Sequence, residues 1–258
     1  MSALSGIEGH TEFISDGMVF HGSIPYVMGT RLDVIIVGLP EMRVAPLWER
    51  LHGLVFSLDR MLNRFSPESE VYGINQSGMV HDGKMSPELK EITELAREYN
   101  ERTLGLFDVR RKDGMLDFGG FGKGYFLRRC RNIMKEEGVE CAYVDFGGSS
   151  ILGMGHHPYG DSWKVGVICP YTHVQLDEIS LYDKAMSTSG NSPSYSGHII
   201  HPVTGKPNHD RKLVSVVSPD PLDAEVLSTA IMIASDDEIS RINDKFADSI
   251  VKTYNLLM

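Results

Sequence analysis

An excess of basic charge is what this sequence most plainly lacks. Its 258 residues carry 25 Lys and Arg against 35 Asp and Glu, for a formal net charge of −10. It has no cationic surplus with which to displace counterions from a polyanion, so nucleic acid is not an expected partner. A phosphate-bearing ligand has to be met locally, by a helix N-terminus, one or two cationic side chains, or a metal ion bridging carboxylate to phosphate. Cysteine is scarce as well: Cys130, Cys141 and Cys169 are an odd number at spacings that fit no zinc or redox template, and they read as reduced thiols. No apolar run reaches the length of a membrane span. Residues 1–8 hold neither the basic stretch nor the apolar core of a signal peptide. As written, the chain is expected to be cytoplasmic, and exported if a leader precedes it. With 41% apolar and 23% charged residues, it has the composition of a globular protein and is expected to form a single domain over residues 1–258.

What is present mixes the periods of strand and helix. Residues 18–38 are rich in β-branched side chains and end in Leu32-Asp33-Val34-Ile35-Ile36-Val37, which predicts a strand pair joined near Pro25 and Gly29. Leu47, Leu51, Leu54, Leu58, Met61 and Phe65 recur at helical spacing. A second helix is expected from Ser86-Pro87, an N-cap followed by an N1 proline, through Leu89, Ile92, Leu95 and Tyr99. In mid-chain, Leu116-Asp117-Phe118-Gly119-Gly120 is echoed by Val144-Asp145-Phe146-Gly147-Gly148, each an apolar strand ending in Asp-Phe-Gly-Gly. Between the echoes, residues 125–137 read as a helix closed by Gly138. Strands are expected over residues 163–168 and 213–218, with a Ser/Gly-rich stretch over residues 187–197. Two helices are expected to finish the chain: one led in by Pro219 and Pro221 with Asp223 as N-cap, the other opened by the capping box Ser235-Asp236-Asp237-Glu238. The expected class is α+β.

Three segments hold residues with chemical potential, and each reads two ways. Gly119-Gly120-Phe121-Gly122-Lys123-Gly124 stands between strand and helix, where bare backbone N–H groups and a lysine can approach phosphate oxygens. It is not a Walker A loop, and its glycines equally suit a tight turn that needs close packing. Asp145 to Ser150 has the same ambiguity, its two serines able to cap a turn or bond a ligand. Glu225 and Thr229 are four apart and share one face of an otherwise apolar helix. Hard oxygen ligands of that kind suit Mg²⁺, while a first-turn carboxylate also simply complements the helix dipole. His198 and His201 form a His-x-x-His that Pro202 bars from an ordinary helix, with no third zinc ligand nearby. An extended segment entering the Pro202-Val203-Thr204-Gly205 turn, with His198 and Thr204 aimed at a ligand, or a solvated loop histidine, fits better.

Taken in order, these segments resemble the ApbE family of flavin transferases (FAD:protein FMN transferases). The match runs from Met28-Gly29-Thr30, through Asn63-Arg64-Phe65-Ser66-Pro67-Glu68-Ser69-Glu70 with Ile74-Asn75, to Phe107-Asp108 and the two Asp-Phe-Gly-Gly segments. It continues through Thr188-Ser189-Gly190 and His198-Ile199-Ile200-His201-Pro202-Val203-Thr204-Gly205 to Glu225-Val226-Leu227-Ser228-Thr229-Ala230. The resemblance implies a T-fold-like α+β core, mixed or antiparallel sheets packed with helices, that binds FAD with Mg²⁺ at the pyrophosphate. It implies transfer of FMN to a Thr or Ser hydroxyl of an acceptor flavoprotein with release of AMP. By family position Met28, Ser66, Glu70, Gly119, Gly120, Lys123, Thr188, Ser189 and Gly190 would line the flavin and phosphate site. His198, His201 and Thr204 would lie at the reacting phosphate, and Glu225, Thr229 and the backbone oxygen of Gly122 would hold the metal.

Four departures from the family pattern stand out. His201 replaces an Asp, which turns a negative base or orienter into a titratable imidazole. Val203 stands where Arg is common. Glu225 replaces the usual metal-binding Asp, with Asp223 two residues earlier as another possible ligand. The segment from Asp108 to Asp117 is short and lacks the usual Thr. Two other functions are therefore kept in view: an FAD pyrophosphatase that yields FMN and AMP, and a non-catalytic FAD-binding paralogue.

Overall fold

The computed structural model describes residues 9–14, 18–77 and 85–256; the reading of residues 1–8 lies outside them. Eight strands form the main sheet: β1 (His10–Ile14), β2 (Val19–Val27), β3 (Thr30–Val37), β4 (Cys141–Phe146), β5 (Ser150–Met154), β8 (Lys184–Gly190), β9 (Lys212–Ser218) and β10 (Ile250–Asn255). They lie side by side in that order, and every neighbouring pair is antiparallel. A separate antiparallel hairpin, β6 (Trp163–Ile168) and β7 (Gln175–Leu181), makes a second sheet. The helices are α1 (Glu41–Leu62), α2 (Glu70–Gln76), α3 (Pro87–Arg102), α4 (Gly122–Glu136), α5 (Pro221–Ile231) and α6 (Asp236–Asn243). The class is α+β, with antiparallel sheets packed against helices.

Strand alternation explains how the layers assemble. On β3, Leu32, Val34 and Ile36 join the core beneath the helices, while Ile35 and Val37 pack toward the cluster built on Trp163, Val165 and Leu181 of the β6–β7 hairpin. β5 is buried along its whole length, because helices cover one of its faces and the hairpin the other. Trp163 also donates its indole N–H to the Met154 carbonyl at 2.9 Å, fixing the hairpin over the sheet.

Several expectations are corrected here. The chain does not finish with two helices: β10 follows α6 and pairs with β9. Ile250-Val251-Lys252-Thr253-Tyr254-Asn255 is short and half-exposed, so its apolar signal is weak. Asp220, not Asp223, caps α5, accepting from the Leu222 N–H at 3.0 Å ahead of the N1 Pro221. Phe65 falls beyond α1 and is 73% exposed. Helix α4 begins at Gly122 rather than residue 125, because Phe121 is fully buried and Gly122 N–H already turns back to the Phe118 carbonyl at 2.9 Å. Residues 187–190 of the Ser/Gly-rich stretch belong to β8, held between β5 and β9.

Candidate functional site

The start of β5 and the second half of β8 meet the first turn of α4 and the middle of α5, and the polar residues there form one connected group. Glu225, on α5 and only 4% exposed, is its hub. Its Oε2 accepts from Ser150 Oγ at 2.5 Å and from Ser187 Oγ at 2.9 Å, while Oε1 faces Lys123 Nζ at 3.6 Å. Lys123 also donates to Ser149 Oγ at 2.6 Å and Ser150 Oγ at 2.9 Å. One turn along α5, Ser228 bonds Ser187 (3.1 Å) and Ser189 (2.8 Å), and Thr229 Oγ1 lies 3.4 Å from Ser189 Oγ. A buried carboxylate is costly unless it is paired and hydrogen-bonded, and this one is both. The result is a cation, an anion and a row of hydroxyls in fixed positions.

Close backbone approach makes this meeting possible. A Cβ on Gly124 would lie 2.5 Å from Glu225 Cβ and 3.0 Å from the Pro221 carbonyl, so α4 and α5 touch only because Gly124 has no side chain. Gly120 sits against Thr229, whose Oγ1 would be 3.1 Å from such a Cβ. The β2–β3 turn reaches both Asp-Phe-Gly-Gly segments. Met28, left-handed at φ 49°, puts its Cε 2.5 Å from where a Cβ of Gly122 would be, and Thr30 lies equally close under Gly147, φ 72°. The two echo aspartates do the same job: Asp117 Oδ1 accepts from Gly119 N–H at 3.0 Å, and Asp145 Oδ1 accepts from Gly148 N–H at 2.6 Å. Burial raises the Asp145 pKa above the ordinary carboxylate range. Asp117 is also held by Arg64 at 3.0 Å, and Asn75 clamps Leu116 through both its N–H and its carbonyl. The Asn63–Glu70 and Ile74-Asn75 segments thus support the first glycine turn.

The structure divides the residues singled out from the sequence. Lys123, Ser189, Glu225, Thr229 and Gly120 come together, with Met28 against Gly122. Thr188 points to the other face of β8 and bonds Ser215 at 2.8 Å. Glu70 accepts from the Ser86 backbone N–H at 2.5 Å, at the start of α3, and Ser66 accepts from Ser69 N–H through its carbonyl. Neither is hydrogen-bonded to the Glu225 group among the described residues. Asp223 is drawn away toward α3, accepting from the Tyr99 hydroxyl at 2.5 Å.

His198, His201 and Thr204 lie on the loop that leaves β8 directly after Gly190. Buried Asn191 closes this loop, donating to the Asn208 and Asp210 carbonyls and accepting from Gly197 N–H, and Asn208 in turn reaches the Met232 carbonyl at the end of α5. Asn191 was not singled out from the sequence. His198 is an exposed residue stacked on Tyr195, and the desolvation its ring does meet lowers its pKa from the ordinary histidine value. His201 Nδ1 accepts from Val203 N–H at 3.3 Å, which leaves the ring proton on Nε2. Thr204 Oγ1 accepts from Lys206 N–H at 3.3 Å, and its carbonyl accepts from Lys112 Nζ at 3.4 Å.

Among the described residues no group of three or more His, Cys, Asp and Glu is placed to hold a metal, and no helix is long and apolar enough to cross a membrane. A cavity of about 890 Å³ opens elsewhere, between β1–β2 and α1 beside Trp48, Phe13 and Phe56; none of the residues singled out from the sequence lines it.

Fold and site together define an antiparallel α+β protein whose two Asp-Phe-Gly-Gly turns flank a lysine–carboxylate pair set among hydroxyls. Comparison with known proteins gives that class a name. The sequence model described as "ApbE family" matches residues 28–115 and 109–251, and the chain belongs to the ApbE family. It is 21% identical to the FAD:protein FMN transferase of Salmonella typhimurium, over 80% of this chain and 76% of that protein. It is 22% identical to the enzyme of that name from Escherichia coli K12, over 83% and 78%. In structure it is similar to the flavin transferase ApbE of Vibrio cholerae (TM-score 0.76, 19% identity, 95% and 97% covered) and to the ApbE protein of Thermotoga maritima (TM-score 0.74, 18% identity, 95% and 93% covered).

Proposed function

We propose that the chain is an FAD:protein FMN transferase that moves FMN from FAD to a Thr or Ser hydroxyl of an acceptor flavoprotein and releases AMP. The observation that carries this reading is the Lys123–Glu225 pair, set among the Ser149, Ser150 and Ser187 hydroxyls beside the two Asp-Phe-Gly-Gly turns. It is the local answer to a dinucleotide's phosphates that an acidic chain requires. The acceptor hydroxyl oxygen attacks the flavin-side phosphorus. A new P–O ester bond forms, the P–O bond to the AMP phosphate breaks, and AMP leaves with that oxygen and its electron pair. The hydroxyl proton passes to the imidazole of His198, whose pKa is lowered by desolvation. His201, with Nδ1 occupied by Val203 N–H, offers Nε2–H as a donor to a phosphate oxygen rather than acting as a base.

The donor set also fits Mg²⁺ in kind: it is all oxygen, and Glu225 Oε1 has no hydroxyl donor while Oε2 is fixed by two. Glu225, the Thr229 hydroxyl and the Gly122 carbonyl would hold the ion, which when bound neutralises charge on the pyrophosphate. By resemblance to the family, Met28, Gly119, Ser66, Glu70, Thr188 and Gly190 would line the flavin–phosphate end of the site; the Ser66, Glu70 and Thr188 side chains make no hydrogen bond to the Glu225 group among the described residues.

The test is incubation of the protein with FAD and Mg²⁺, with and without a flavoprotein domain carrying an acceptor Thr. AMP and intact mass are followed together. AMP that appears only with the acceptor, matched by an FMN-sized mass gain, is expected. AMP without acceptor would replace transfer by FAD hydrolysis, and tight FAD binding with no AMP in either case would leave a binding paralogue.

A further inference from the structure

Tyr195 is 64% exposed, yet its ring lies nearly parallel on the His198 imidazole, centroids 4.0 Å apart and planes 21° from one another. The backbone holds it there. Ser192 N–H donates to the Tyr195 carbonyl at 2.9 Å and Tyr195 N–H donates to Ser192 Oγ at 3.0 Å, which closes a turn beneath the ring. Between Tyr195 and His198, Ser196 Oγ meets His209 Nδ1 at 3.0 Å. Gly197, left-handed at φ 74°, donates to Asn191 Oδ1 at 3.1 Å and sits so near His209 that a Cβ would be 2.5 Å from its Cε1. The tyrosine and the histidine are thus clamped in one geometry from both sides. The Tyr195 hydroxyl makes no hydrogen bond among the described residues, so what the side chain contributes is its ring. No charged side chain among the described residues acts on His198; burial alone accounts for its lowered pKa.

We propose that Tyr195 is a positioning residue for His198, its ring covering one face of the imidazole and fixing its plane so that the base is held in one orientation. This rests on the transferase reading for its place in the reaction, but the coupling of the two rings is measurable without it. Aromatic stacking of this kind contributes beyond simple area burial and favours a defined ring geometry.

The experiment is a proton NMR titration of His198 in the protein without FAD, its resonance assigned with His198→Gln, for the wild type, Tyr195→Ala and Tyr195→Phe. It is paired with the pH dependence of kcat and kcat/KM for flavin transfer. Removal of the ring is expected to raise the His198 pKa, to move the acid limb of kcat/KM to higher pH in step, and to lower kcat roughly tenfold with little change in KM for FAD. Thermal melting is expected to stay unchanged. Tyr195→Phe is expected to rescue both pKa and rate. An unchanged His198 titration in Tyr195→Ala, or Tyr195→Phe behaving like Tyr195→Ala, would overturn the proposal, as would a shifted pKa with wild-type transfer kinetics. Should the wild type transfer no flavin to any acceptor, the transferase reading fails, and the titration alone upholds or overturns the ring coupling.

Discussion

Gly124 carries more of the site than its size suggests. It is the contact through which α4 brings Lys123 to Glu225, with the Glu225 Cβ and the Pro221 carbonyl both inside the space a methyl group needs. Gly124→Ala is expected to push α4 and α5 apart and to destabilise the fold by about 1–3 kcal/mol, the usual cost of overpacking a well-filled contact. Chemical denaturation measures this, and FAD affinity is expected to fall with it; an alanine variant with wild-type stability and affinity would mean that the helices can shift freely. At this scale the sequence was partly legible. The spacing of Glu225 and Thr229, the glycine-lysine turn and Ser149-Ser150 could be read off, because each is a short motif with a chemical meaning. Ser187, which holds the carboxylate, and Ser228, which bonds Ser187 in turn, gave no such sign, since an isolated serine in a strand or helix has no period and no partner in sequence. Nor did the sequence separate Ser189 from Thr188, which needs the strand register to decide which hydroxyl faces α5.

The elements found most readily were those whose burial follows a strict period: α1, α3 with its Ser86 cap, and α6 with its capping box. β8 was read as a Ser/Gly-rich stretch because its inward side chains are hydroxyls satisfied by Glu225 and Ser228, an arrangement that only a tertiary partner reveals. β1 went unread for a related reason, being exposed along most of its length. It is tied to its neighbours by charge. His21 on β2 meets Glu12 of β1 at 3.0 Å with Nδ1 and Asp33 of β3 at 2.9 Å with Nε2, and Arg31 lies on Asp33 at 2.6 Å. An imidazole with a carboxylate on each nitrogen satisfies both only as imidazolium. Burial by itself lowers the His21 pKa, but the hydrogen bonds to Glu12 and Asp33 outweigh it and raise the pKa overall. A histidine whose folded pKa is raised contributes stability that is fully present below its unfolded pKa and is lost as pH rises through the folded one. The two carboxylates, both lowered, lose theirs as pH falls through their own folded pKa values. The three-strand tie is therefore expected to be strongest in mildly acid solution, between these limits. Denaturation midpoints of wild type and His21→Gln compared across pH check it: the difference should be largest there and shrink above the folded His21 pKa. A difference that grows with pH would contradict the assignment.

At the scale of the whole molecule, a net charge of −10 accompanies a site proposed to take a dinucleotide's phosphates. Long-range electrostatics then oppose the approach of FAD, and local contacts have to supply all the attraction. FAD association is accordingly expected to quicken as salt is raised from roughly 10 to 150 mM, a range over which the screening length falls severalfold. Stopped-flow flavin fluorescence measures this, and an association rate that drops with salt would point to a cationic entry route. The single domain is expected over residues 1–258 from composition and length, and the α+β class from the mixture of strand and helix periods; the antiparallel order of eight strands is not legible, because pairing between distant segments such as β3 and β4 leaves no mark in either one.

Most directly at stake is whether the Lys123–Glu225 cluster is where FAD's phosphates bind. Calorimetric titration of FAD in the presence of Mg²⁺, into the wild type and into Lys123→Met, decides it. Saturable binding by the wild type, weakened at least roughly tenfold by loss of one desolvated charge-assisted contact in a variant that still melts cooperatively, is the predicted result. Equal affinity in the two proteins, or no saturable heat in the wild type, would contradict it.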